Sequence, residues 1–233
     1  MADVIFFLGT GRSGTYSIFK SLSTYKDLRV HHEFMFEELL KLGTLKFHGL
    51  LSSSEIVNRL RLYRNALFAS LKNESKVIDI SNALPLLMEE LRIVFPNASF
   101  YWVTRNAYKV TASFYFKFED LMYPEFGINK IKKAIIEDDL SDLSPDKRVF
   151  RPLYSFNSNS RLLNILYHWK VYEGIAIRHR DVFEGKYTFE KLVEDSGYRQ
   201  LFFENLGLKV TKEAEQFFEK PTNIQFKKNF TFT

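Results

Sequence analysis

The 233-residue sequence contains no cysteine. Disulfides, thiol nucleophiles and thiolate metal sites are therefore excluded. No apolar run approaches the roughly 20 residues that a membrane-spanning helix needs. The chain also enters its first apolar segment without a basic leader or a small-residue cleavage site. These features lead us to expect a soluble, cytoplasmic protein. Charge of either sign is not in large excess: 33 basic residues face 28 acidic ones, for a net charge of +5. The basic residues are scattered, which suits an anionic ligand and gives no stripe of the kind that binds nucleic acid. Glycine is sparse, with 10 in the chain, yet three fall between positions 9 and 14. There is no internal repeat and no second-domain boundary, so residues 1–233 are read as one domain with a sizeable core. What is abundant is aromatic: 24 Phe and 12 Tyr should fill much of that core.

The glycine cluster organises the chain. The apolar run Val4-Ile5-Phe6-Phe7 leads into Leu8-Gly9-Thr10-Gly11-Arg12-Ser13-Gly14-Thr15-Tyr16, and the amphipathic stretch Ile18-Phe19-Lys20-Ser21-Leu22 follows. This pattern is a buried strand, a glycine-rich turn and a helix N-terminus. Backbone amides in such a turn, with the positive end of the helix dipole, form an oxyanion cradle. Glycines at 9, 11 and 14 permit positive φ and close approach, and Arg12 adds a permanent cation. A Walker A loop needs lysine directly after its second glycine, and Thr15 stands there instead. Gly9, Gly11 and Gly14 also satisfy G-x-G-x-x-G spacing, a weak match by itself.

A second element, about ninety residues on, gives this turn a context. Phe100-Tyr101-Trp102-Val103-Thr104-Arg105 is an apolar strand ending in arginine, and the helix after it carries Ser113. The pair resembles the sulfotransferases that use 3′-phosphoadenosine 5′-phosphosulfate (PAPS). Gly9 to Thr15 is similar to that family's 5′-phosphosulfate loop, where Lys or Arg stands at the Arg12 position. Arg105 and Ser113 are similar to its 3′-phosphate motif. The resemblance implies that Gly11, Arg12, Ser13, Gly14, Thr15 and Tyr16 hold the 5′ end of PAPS, that Arg105 and Ser113 hold its 3′-phosphate, and that 3′,5′-bisphosphoadenosine is the product. No metal is required.

Asp27 to Phe34 is expected as a second strand, with His31 and Glu33 on one face and His32 on the other if it stays extended. Two imidazoles and a carboxylate at a strand end offer a general base. The resemblance implies that Glu33 takes the acceptor proton; branches of the family that use histidine leave His32 or His31 open. Ser54 to Lys72 reads as a helix capped by Ser54, with Ile56, Leu60, Tyr63, Leu67 and Leu71 as its apolar stripe. Lys76 to Ser81 is a third strand. Its Asp79 has the look of a magnesium-holding aspartate in a kinase, although the lysine that many sulfotransferases carry near this strand end is absent.

Leu84 to Phe95 reads as a helix ended by Pro96, and Arg161 to Arg178 as another, with Leu162, Ile165, Leu166, Trp169 and Tyr172 on one stripe. Val182 to Tyr187 is the last strand, and Thr188 caps the helix after it. Residues 118–160, mixed in composition, are expected to be an insertion or lid over the site. Lys227 and Lys228 in the tail are weak phosphate candidates. Strands alternating with helices imply a doubly wound parallel α/β sheet. In such a sheet Arg12, Glu33, Ser81 and Arg105 all lie just beyond strand ends, where ligands bind. The leading expectation is a sulfotransferase acting on a hydroxyl or amine. A nucleotide-binding module without catalysis and a kinase with a degenerate loop are the alternatives. Acceptor and oligomeric state are not legible.

Overall fold

The computed structural model describes residues 2–117 and 161–219. Five strands form one parallel sheet: β1 (Asp3–Gly9), β2 (Leu28–His32), β3 (Lys76–Ser81), β4 (Ser99–Thr104) and β5 (Phe183–Thr188), in the order β2-β3-β1-β4-β5. Six of the seven β1 residues are buried, without the alternation of a half-exposed strand. That is what a central parallel strand covered on both faces requires. The proposed insertion at 118–160 and the lysines at 227 and 228 lie outside the described residues.

One face carries α2 (Phe36–Phe47), α3 (Ser53–Ala69), a 3₁₀ turn (Leu84–Leu87), α4 (Met88–Val94) and part of α6 (Arg161–Arg178). Phe6, Phe100 and Trp102 point there and pack with Tyr63, Phe95 and Tyr172. The opposite face carries α1 (Thr15–Leu22), α7 (Phe189–Glu194), α8 (Ser196–Asn205) and α9 (Lys212–Glu219). Phe7 and Tyr101 meet Tyr187, Phe202, Phe203 and Phe218 there. Phe7 stacks on Tyr101 at 5.1 Å, and Phe6 on Phe100 at 5.4 Å. The core is aromatic on both sides of the sheet, as the composition suggests. Among the described residues, no helix is long and apolar enough to cross a membrane.

Two local expectations are corrected. The cap of α3 is Ser52, not Ser54: Ser52 accepts from the Glu55 amide, and the Glu55 side chain returns a bond to the Ser52 amide. This reciprocal capping box outcompetes a lone serine two residues on. Residues 84–95 begin as a 3₁₀ turn before continuing as α4.

The topology concentrates the functional candidates. β1 is flanked by β3 and β4, with Leu8 opposite Ser81 and Gly9 opposite Val103. The chain reverses its direction of winding there, and the carboxyl edge of the sheet opens as a crevice. β2 ends beside β3, with His32 opposite Ile80. The residues after β1, β2, β3 and β4 thus share one edge, at strand spacings of about 4.8 Å.

Candidate active site

The 9–14 turn uses its glycines for two different purposes. A Cβ on Gly9 would lie 2.4 Å from the Val103 carbonyl oxygen, so glycine is required for β1 to run close against β4. Gly14 sits in the left-handed region (φ 93), and a Cβ there would strike the Phe189 ring at 2.1 Å. Gly11 does not use positive φ; Arg12 does, at φ 68. Ser13 is fully buried and donates its hydroxyl to the Thr10 carbonyl at 2.6 Å, so it closes the turn from inside. The amides of Thr15 and Tyr16 open α1 and have no intrahelical acceptor.

The two distant motifs meet. Arg12 Nε donates to Ser113 Oγ at 2.8 Å, joining positions 101 residues apart in sequence. Arg105 Nη1 donates to the Arg12 carbonyl at 3.0 Å. Ser113 lies on α5 (Ala107–Lys117), which starts just past Arg105. Burial and the neighbouring Arg105 charge lower the Arg12 pKa from its ordinary value, with Glu33 opposing. Burial likewise lowers that of Arg105, against the pull of Glu190. Two guanidinium groups sharing a partly desolvated space repel each other, and an anion between them removes that penalty.

Several partners of Arg105 carried no signal in the sequence. Glu190 Oε1 stands 3.7 Å from Arg105 Nε and 3.7 Å from Lys109 Nζ, and it accepts from the Asn106 amide at 3.3 Å. Trp169 Nε1 donates to the Arg105 carbonyl at 3.2 Å, while the Arg105 guanidinium lies over the Phe189 ring at 5.4 Å. The same ring that forbids a side chain at Gly14 thus supports Arg105. Glu190 and Trp169 come from segments 64 to 85 residues away, which no local spacing could disclose.

The β2 end departs from expectation in a useful way. The strand stops at His32, and Glu33 adopts φ 59, so the alternation of an extended strand ends there. His31 turns to the α3 face and bonds Ser70 Oγ at 2.8 Å, away from Arg12. Glu33 has a different partner; it accepts from Asn82 Nδ2 and lies close enough to Arg12 to stabilise its charge. His32 packs against Tyr16 and Phe19, with Nε2 3.5 Å from Thr15 Oγ1. Burial lowers the His32 pKa, with Glu33 opposing, which favours the neutral ring.

Asp79 is not turned toward the glycine loop. It is fully buried, accepts from Tyr63 Oη at 2.6 Å and from the Phe34 amide at 3.3 Å, and so pins the turn after Glu33 to β3. Burial raises its pKa to about 7. Both of its oxygens are thereby engaged, which removes the basis for a magnesium-binding aspartate. Arg12, Glu33 and Met35 are the three non-glycine residues with positive φ among the described residues. Each costs on the order of 1 kcal/mol or more, and such strain gathers at functional sites.

Neither a protein-family model nor a curated protein sequence matches this chain. Solved structures do resemble it. The sulfotransferase domain from the curacin biosynthetic pathway aligns over 92% of this chain and 77% of its own, with a TM-score of 0.53 at 11% identity. A sulfotransferase from Alicyclobacillus acidocaldarius aligns over 90% of this chain and 82% of its own, with a TM-score of 0.50 at 14% identity. At such identities the likeness concerns the backbone frame. This chain, a parallel P-loop-like sheet with a glycine turn after its first strand, has the sulfotransferase fold.

Proposed function

We propose that the protein is a sulfotransferase that moves a sulfuryl group from PAPS to a hydroxyl or amine acceptor by in-line displacement. The observation that carries this reading is the direct contact of the two anion-binding motifs, Arg12 with Ser113 and Arg105 with the Arg12 carbonyl. A bisphosphorylated nucleoside presents two phosphates, and the residues present fit such a group: amides at a helix start, two partly buried guanidiniums and a serine hydroxyl.

In this reading Gly11, Gly14, Thr15 and Tyr16 line the 5′-phosphate with their backbone, and Ser13 shapes the turn. Arg12 neutralises charge growing on the bridging and sulfuryl oxygens. Arg105 and Ser113 grip the 3′-phosphate; arginine suits that task because its planar fork can donate two bonds to one phosphate. Glu33 takes the acceptor proton, and neutral His32 is the second candidate base. Catalysis is then mostly positioning and electrostatic stabilisation. PAPS supplies the activated sulfuryl group when bound.

A second reading, nucleotide binding without transfer, is favoured by one observation. Asn82, not a cation, stands past β3 and bonds Glu33. The two readings separate in a transfer assay with labelled PAPS and a panel of phenols, aliphatic alcohols, sugars and amines. Label moving to an acceptor, and lost in Arg12→Ala, supports the enzyme. Tight nucleotide binding with no label transferred to any acceptor would support the second reading instead.

A further inference from the structure

We propose that Lys109 is a third contact to the donor's 3′-phosphate, extending the Arg105 and Ser113 pair into an Arg-x3-Lys-x3-Ser line. The inference rests on the PAPS reading above and adds a residue that neither motif contains. Lys109 and Ser113 are four residues apart within α5, which sets them one turn apart on the same side of the helix, with Cβ atoms about 5–6 Å apart. Ser113 is bonded by Arg12 at one end of this line, and Arg105 stands just ahead of the helix at the other.

A single carboxylate oxygen shows that the two cations converge. Glu190 Oε1 is 3.7 Å from Arg105 Nε and 3.7 Å from Lys109 Nζ. Both separations are longer than a charge-assisted hydrogen bond, so each cation keeps donors for another oxygen. The Lys109 side chain is 53% exposed and free to swing on its four-carbon stem. Two of the first helix amides are already taken: those of Tyr108 and Lys109 donate to the Asn106 side chain, at 3.0 and 3.3 Å. For an anion arriving beside Arg105, Lys109 is the neighbouring cation placed to receive it.

The test is a calorimetric titration of the wild-type chain, Lys109→Gln and Lys109→Arg with 3′,5′-bisphosphoadenosine and with 5′-AMP. Lys109→Gln should weaken the bisphosphate about tenfold, a loss of one charged contact, and leave AMP within twofold. Lys109→Arg should recover most of the loss. Unfolding midpoints matched to wild type confirm that the exposed substitution leaves the fold intact. If wild type prefers the bisphosphate and Lys109→Gln binds it equally well, or loses both ligands alike, the Lys109 assignment is overturned while the PAPS reading stands. A wild type that binds both ligands equally overturns the two together.

Discussion

The two ends of the site are built differently. At the proposed donor end, the turn after β1 is tied to the β4–α5 segment by two direct bonds, Arg12 to Ser113 and Arg105 to the Arg12 carbonyl, while Ser13 to Thr10 closes the turn from inside. At the proposed acceptor end, Glu33 is held in a left-handed conformation by what lies beneath it. Its amide continues the ladder to the Ile80 carbonyl at 3.0 Å, and the next amide reaches buried Asp79. A donor of fixed chemistry can be met by compact motifs on adjacent strands. On the proposed reading Glu33 is a proton acceptor that must be aimed, and its left-handed backbone above buried Asp79 gives it a fixed direction.

If this division is right, variants at the two ends separate binding from turnover. Arg12→Ala should show the largest effect, a fall of about 10³ in kcat/KM, since removal of one preorganised donor alone costs on the order of 10²–10³. Donor affinity should fall with it, measured by titration with 3′,5′-bisphosphoadenosine. Retained turnover would remove Arg12 from the chemistry. Glu33→Gln should lower kcat about 10²-fold, the scale of a lost general base. Its affinity for the bisphosphate should stay unchanged, and a matching loss of affinity would merge the two ends into one.

Gly14→Ala sharpens the donor side by attacking its frame. A methyl group would both clash with Phe189 and occupy positive φ. We expect about 2–4 kcal/mol of lost stability from overpacking and backbone strain together, read from urea unfolding. Unchanged stability would show that Phe189 yields freely, and that Arg105 is not firmly supported.

A further expected effect concerns pH. Burial raises the Asp79 pKa to about 7, above its unfolded value near 4. The native state therefore binds this proton more tightly. Its contribution is fully present below about pH 4 and is lost progressively as pH rises through 7. Asp79→Asn should flatten that part of the stability profile between pH 4 and 8. A profile as steep as wild type would place the titration elsewhere.

What could be read from the sequence was whatever is encoded locally. The strand, glycine turn and helix from Val4 to Leu22 are legible because apolar run, glycines and amphipathic period adjoin each other. The same holds for β4 and Arg105, and the alternation of elements was enough for a parallel sheet. The face of Glu33 is not legible: period-two reasoning holds only while the strand stays extended, and β2 stops at His32. Nor does spacing disclose that His31 faces α3 and bonds Ser70. Asp79 looked like a strand-end ligand because nothing nearby in sequence announces that Tyr63 will cover it. Glu190, Trp169 and Asn82 gain their roles only through folding, so no spacing could mark them.

The most direct measurement is a crystal structure of the protein with 3′,5′-bisphosphoadenosine. The 5′-phosphate is expected against the amides of Thr15 and Tyr16 with Arg12 alongside, and the 3′-phosphate against Arg105 and Ser113. A single phosphate held jointly by Arg12, Arg105 and Ser113, with the other phosphate in solvent, would contradict that arrangement.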